Sequence, residues 1–209
     1  SPFGIWRPGT PPSIKGLDAY DLLYADSRKW LHEGLCDYLA PQLYWPTDRP
    51  EQSFPTLLAW WRQENRMHRH LWPGLAHSNG AAEVANQIRQ SRRPSEYDGQ
   101  LHWSIKPLLQ NRNGIADVLR RELYSSPALT PAYPWLKGPA VPKPSLDATP
   151  QPDGTIRFGW GRSDSVRPWQ WVIQRRHAAR CTTDILSGPT HSFNLPAAQC
   201  PEVVSVRAV

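Results

Sequence analysis

The chain has 209 residues, enough for one large domain or for a medium and a small one. Its formal charge is +6, but the basic residues are scattered, with Arg92-Arg93 and Arg175-Arg176 the densest pairs, so no nucleic-acid partner is expected. No run approaches the ~18 apolar residues of a membrane span, and Cys36, Cys181 and Cys200 include no CxxC pair of a structural zinc site.

Residues 2–7 read as a strand, and the chain is expected to begin inside a larger protein. Pro8-Gly9-Thr10-Pro11-Pro12 is a loop. From Asp18, Tyr20, Leu23, Tyr24, Ser27, Trp30 and Leu31 recur at helical spacing, and Gly34 closes the helix. A buried strand follows over 36–45, with Cys36 as a small apolar residue in it. It ends in Gln-Leu-Tyr-Trp, an amide and two aromatics suited to a sugar. The loop 46–55 is polar and holds Asp48 and Glu51.

A helix over 56–65 carries Leu57, Leu58, Trp60 and Trp61. The pattern then gives a strand at 70–75, a helix at 81–92, a turn at Asp98-Gly99, a strand at 100–105 and a helix at 114–124. Strands that alternate with helices imply parallel pairing. No GxGxxG occurs, so no nucleotide cofactor is expected, nor any other cofactor. Four βα units are half of an eightfold barrel. The fold class expected is α/β, the second half of a (β/α)8 TIM-type barrel, plus a small all-β sandwich domain.

The half barrel is expected over residues 1–138. A proline-rich linker follows at 139–144. Residues 145–209 show period-two alternation at 155–160, 169–175, 191–195 and 203–209, separated by polar turns. That is a sandwich whose last strand runs to residue 209, with room for a missing final strand. Cys181 and Cys200 could pair there in an oxidising compartment.

Barrel chemistry sits at the C-terminal ends of the strands. The substrate-binding candidates at those ends are Trp6, Arg7, Gln42, Tyr44, Trp45, Trp72, Ser104 and Lys106. Gln42 has the donor and acceptor that a pair of sugar hydroxyls requires. Tyr44 and Trp45 point to opposite sides of one strand, so only one faces a pocket directly. No GxSxG elbow makes Ser104 a nucleophile, and His70, His77 and His102 lack the spacing of a metal triad. Asp26 and Asp37 read as structural. Trp30, Trp60 and Trp61 read as packing between helix and sheet.

The motifs Phe3-Gly4-Ile5-Trp6-Arg7-Pro8, Tyr24-Ala25-Asp26-Ser27-Arg28-Lys29-Trp30, Asp37 to Trp45, Leu57-Leu58-Ala59-Trp60-Trp61 and Trp103-Ser104-Ile105-Lys106 resemble the bacterial glycosyl-hydrolase-like family 10. The resemblance covers roughly residues 2–136. Residues 145–209 resemble, more loosely, a fibronectin type III-like module. The resemblance implies a glycoside hydrolase of the bacterial envelope, periplasmic, anchored or extracellular, acting on glycan and in some members on peptidoglycan strands. A glycosidase needs two placed carboxyl groups. The family's aspartate-rich strand end precedes the strand that opens this chain, so the catalytic acids are expected outside it. Asp48 and Glu51 are the weak candidates within. The other reading is a glycan-binding or envelope interaction module without catalysis. Strands at 2–7 and 99–105 would be apolar edges, so a missing half of the barrel or a second copy is the expected partner.

Overall fold

The computed structural model describes residues 2–92, 99–138, 141–161 and 168–209. Asp98 of the expected turn and the first residues of the expected linker lie outside them. The chain divides into two compact units, Ser1–Ser125 and Ser126–Val209. No helix is long and apolar enough to cross a membrane among the described residues.

In the first unit the helical pattern from Asp18 forms two short helices. These are α1 (Ala19–Leu23) and α2 (Ser27–His32). Tyr24 adopts a left-handed backbone at φ 51° and ends the first. Asp26 caps the second through the Lys29 N–H at 3.2 Å. Gly34, at φ +64°, takes the left-handed conformation that stops α2. α3 (Phe54–Glu64) begins with Pro55 in its first turn, where a missing N–H costs nothing. α4 (Ala81–Ser91) follows the expected bounds to within a residue.

The strands are shorter than expected. β1 is Tyr38–Leu39 and β2 is His70–Leu71, and they pair in parallel. β3 (Gly74–Ala76) pairs in parallel with β4 (Leu101–Trp103). Gln42 bridges to Phe3 on one side and Gly74 on the other, again in parallel. Pro41 and Pro73 carry no N–H, so each interrupts the ladder that the sequence pattern made continuous. Residues 2–7 form no regular strand. Phe3 alone pairs with Gln42, while Arg7 pairs with Thr10 in the following turn. The four extended segments still pair in chain order.

After β4 the chain turns at once into α5 (Ile105–Leu109), which the sequence pattern had read as strand end and loop. Residues 115–123 then form α6 (Ile115–Val118), continued by a wider π turn to Leu123.

The apolar faces of α3 and α4 meet the sheet in one core. It contains Ile5, Ile14, Leu31, Leu39, Leu43, Phe54, Leu57, Leu58, Trp61, Leu71, Leu75, Val84 and Ile88, all buried. Cys36 is half-buried against it. Trp61 is fully buried, and its indole N–H donates to the Gly4 carbonyl at 2.8 Å. That bond ties α3 to the opening segment.

Glu64, at the end of α3, receives Arg28 Nε at 2.7 Å, and His32 Nε2 meets the same oxygen. Burial pushes the Glu64 carboxyl up, but the hydrogen bonds and charges of Arg28 and His32 outweigh it and hold it below its ordinary 4.5. A depressed carboxylate stabilises the fold above the ordinary value, and that contribution is lost as pH falls through the folded one. Glu64→Gln is therefore expected to cost about 1–2 kcal/mol at pH 7 and clearly less at pH 3. Denaturant unfolding at both pH values measures it.

In the second unit, β5 (Ser145–Pro150), β6 (Thr155–Gly161) and β9 (Ser192–Pro196) form one antiparallel sheet, in the order β5-β6-β9. β7 (Gln170–His177), β8 (Arg180–Ser187) and β10 (Val203–Ala208) form another, in the order β10-β7-β8. Trp160 from one sheet packs on Trp171 and Ile173 from the other, with Phe193, Leu186, Val204, Val206 and Ala208 around them. Two sheets facing across one apolar core make a small sandwich. Cys181 and Cys200 are free thiols.

Candidate functional site

Parallel strands deliver their C-terminal ends to one side of the sheet, and a pocket of about 360 Å³ lies where β3 and β4 end. His77 follows β3 directly, and Trp103 is the last residue of β4. Ser78, Gly80 and Ala81 line the pocket from the start of α4, Ser104 and Pro107 from α5, and Arg112, Asn113 and Ile115 from the turn into α6. Trp103 is 64 % exposed. Behind it, the Tyr44 ring stacks at 6.3 Å and 24°, which limits the orientations of both rings.

Of the lining residues, His77 is the end of a chain of hydrogen bonds that runs away from the pocket. The Tyr124 hydroxyl donates to Gln100 Oε1 at 3.0 Å. His102 Nε2 lies 2.9 Å from the same hydroxyl, and His102 Nδ1 lies 2.9 Å from His77 Nε2. Burial, and then the nearby charge of His77, push His102 down to about 4; burial also lowers His77. Both imidazoles are therefore neutral at pH 7. The phenol proton is committed to Gln100, so His102 donates from Nε2 and accepts at Nδ1. His77 then donates from Nε2, which leaves its Nδ1 a bare acceptor. That atom is sealed from solvent and has no partner among the described residues.

The sequence candidates disperse around this pocket. Ser104 lines it, and Tyr44 supports Trp103. Trp45 faces the other way, edge-on to Phe3 at 5.5 Å, as the parity of neighbours in an extended segment requires. Gln42 is the residue that joins the segments on either side. Trp72 stacks on Tyr38 at 4.4 Å and on His70 at 5.6 Å. Trp6 stacks on Trp60 at 6.2 Å and donates to Asp26. Arg7 is held by Asp18 at 3.2 Å and Asp21 at 2.9 Å. Lys106 is exposed on α5, and Asp48 is exposed in its loop. Glu51 is paired with Lys15. Among the described residues, no group of three His, Cys, Asp or Glu is placed to hold a metal.

His77, Trp103 and Arg112, which line the pocket, escaped the sequence reading as site residues. Ending the third strand at Leu75 hid His77. It is the residue at the strand end, where βα chemistry is sought.

Residues 1–90 match the sequence profile of a family described as glycosyl hydrolase-like 10. Over 162 residues, 70% of the chain, the sequence is 38% identical to Glycosyl hydrolase YngK of Bacillus subtilis (strain 168), covering 32% of that protein. Over 65 residues, 29% of the chain, it is 43% identical to Glycosyl hydrolase DigH of Escherichia coli (strain K12), covering 15% of that protein. The chain thus spans about a third or less of these curated relatives. His77 to Ala81 fall within the family match, and Trp103 to Ile115 lie beyond it. The similarity is to glycosyl hydrolase-like 10 proteins, over the part of the chain that holds α1 to α4 and β1 to β3.

Proposed function

We propose that this chain supplies the sugar-binding side of a glycoside hydrolase cleft, acting on cell-envelope glycan and on peptidoglycan strands above all. The observation that carries the reading is the pocket at the strand ends. It offers an exposed indole, hydroxyls and a guanidinium, and no carboxylate lines it among the described residues. Flat aromatic faces with a few polar groups suit a sugar. The two carboxyl groups of a glycosidase would come from residues outside this chain.

In this reading the parallel segments in chain order are half of a (β/α)8 barrel. Leu101, Trp103, Ile105 and Leu109 are exposed at and after β4. Such an edge calls for cover by the other half of a barrel or by a second copy. The second unit is read as fibronectin type III-like. Its sheet orders and its Trp160–Trp171 core support that, as does β10 at the end of its sheet. An envelope, periplasmic or extracellular location accompanies this reading.

Trp103→Ala is expected to weaken binding of a glycan strand about tenfold, or 1.4 kcal/mol, with unchanged thermal stability, because the ring is largely exposed. Titration with a soluble glycan oligomer measures it. Unchanged affinity would overturn the placement of the cleft. The missing carboxylates also favour a glycan-binding module that does not cleave. Turnover by the chain alone would decide for the hydrolase reading over the non-cleaving module, and would place its acids within this chain.

A further inference from the structure

The two walls of the pocket come from different parts of the chain. One follows β3, from His77 to Ala81, and the other runs from Trp103 at the end of β4 to Ile115 at the start of α6. The backbone ladder between β3 and β4 is short, Gly74 to Ala76 against Leu101 to Trp103. Beside it the two imidazoles bond to each other, His77 Nε2 and His102 Nδ1 lying 2.9 Å apart, and His102 Nε2 continues to the Tyr124 hydroxyl at 2.9 Å. Side chains thus tie the residue after β3 to β4 and to the end of the π turn.

The number of protons on the pair decides whether this tie holds. Two ring nitrogens in contact form a hydrogen bond only when one carries a hydrogen and the other does not. With both rings neutral, His77 donates and His102 accepts. One added proton leaves the bond in place, on either ring. In both arrangements His77 Nδ1 then carries a hydrogen, sealed from solvent and with no acceptor among the described residues, which is costly. A second proton sets N–H against N–H and places two positive rings with centres 5.1 Å apart. The bond cannot then exist.

Neighbouring groups do not offset these charges. No carboxylate contacts either ring among the described residues. On α4, Glu83 accepts from the Thr47 N–H and Gln87 Nε2, and Arg92, just past the helix, lies over the Tyr124 ring at 5.2 Å. On α6, Asp117 accepts from Asn111 at 2.7 Å, and Glu122 in the π turn is paired with Arg89 at 2.7 Å and Arg121 at 3.1 Å. α5 and the turn after it bring the cations Lys106 and Arg112. The lowered values of both histidines, His102 at about 4, agree with a pair that resists its protons.

We propose that the His77–His102 pair is an acid-opened latch: closed while both rings are neutral, it releases β4 and the segment after it when the pair takes up protons, and so loosens one wall of the pocket from the other. In the open form the rings meet water, where an imidazole is protonated below about 6.5. The closed form takes its protons at lower pH. Closure is therefore fully favoured above about 6.5 and is lost as pH falls from there towards about 4. The two protonation steps belong to the pair, not to either ring. The latch is a property of the free chain and holds whatever ligand the pocket takes.

The test is NMR of the whole 209-residue chain without ligand at pH 7 and pH 5, following the imidazole signals and the amide hydrogen exchange relative to an unfolded chain at the same pH. Both imidazoles are expected to titrate below the ordinary value. Leu101, whose N–H donates to the Pro73 carbonyl at 3.1 Å, and Tyr124, whose N–H donates to that of Leu119 at 2.7 Å, are expected to lose about tenfold in protection from pH 7 to pH 5. The amides of α3 are expected to keep theirs. His102→Gln retains a donor and an acceptor but takes no proton, and is expected to remove most of that loss; His77→Gln tests the same from the other ring. Imidazoles that titrate at the ordinary value, protection equal at the two pH values, or a loss as large in both variants would overturn the latch. So would an equal loss in α3, which would assign the effect to unfolding of the whole unit.

Discussion

Trp61→Ala is expected to destabilise the chain by about 3–5 kcal/mol, the range for removing a buried Trp from a packed core. Trp61 is fully buried on α3, among Leu and Phe side chains of the same core. Its loss removes the largest fully buried side chain of that core and opens a cavity that helix and sheet close only in part. It also strips the Gly4 carbonyl of its indole donor at 2.8 Å. An acceptor left buried and unpaired adds to the cost. A domain with the usual stability of about 5–15 kcal/mol would lose a large part of it. Denaturant unfolding of the variant measures this. Trp61→Phe, which keeps most of the volume and loses the N–H, is expected to fall between the two.

Gly4→Ala is the second large effect, and it acts on the same junction from the other side. A Cβ at Gly4 would stand 2.3 Å from the Gln42 carbonyl oxygen and 3.0 Å from Trp45 Cζ3. Both neighbours are fixed, one as backbone and one packed edge-on to Phe3. The opening segment would have to move away from the sheet, which breaks the pairing of Phe3 with Gln42. Overpacking of this kind costs about 1–3 kcal/mol and more where backbone must yield. The expected result is a loss of about 3 kcal/mol, read by the same unfolding measurement. A Gly4→Ala chain as stable as the parent would show that the opening segment is not held as described.

The elements legible in the sequence were those whose period is set by burial. Phe54, Leu57, Leu58 and Trp61 repeat at helical spacing because one face of α3 is dry, and Val84 and Ile88 do the same for α4. Parallel order was legible for a similar reason, since strands that alternate with helices have few other ways to pair. Strand length was not legible. Apolar content stayed high through Pro41 and Pro73, while the ladder stopped there for want of an N–H. α5 was missed because Pro107 sits inside Ile105–Leu109, in the first turn of a helix, where proline is tolerated. In the sandwich, β5 and β8 were missed. β5 is exposed along its whole length, so no apolar alternation marks it, and the Cys-Thr-Thr-Asp stretch of β8 is polar on both faces.

The candidate site was legible only at its edges. Ser104 and Tyr44 were placed near it from their position at strand ends. The linked His77, His102 and Tyr124 come from three elements far apart in sequence, and their bonds exist only once β3 and β4 lie side by side. Arg112 belongs to a turn with left-handed residues at Asn111, Asn113 and Gly114, whose course is set by packing after α5. Trp6, Trp45 and Trp72 lie outside the lining of this pocket. Aromatics at strand ends are good sugar platforms, but these three are held by neighbouring rings.

The central claim is that the pocket at the ends of β3 and β4 is a glycan-binding face that depends on carboxylates from elsewhere. Its most direct test is one titration of the purified chain with a soluble glycan-strand oligomer, followed by NMR and by an assay for new reducing ends in the same tube. The expected result is saturable binding that shifts the Trp103 indole signal, with no new reducing ends. Binding that leaves Trp103 untouched, or release of reducing ends by the chain alone, would contradict it.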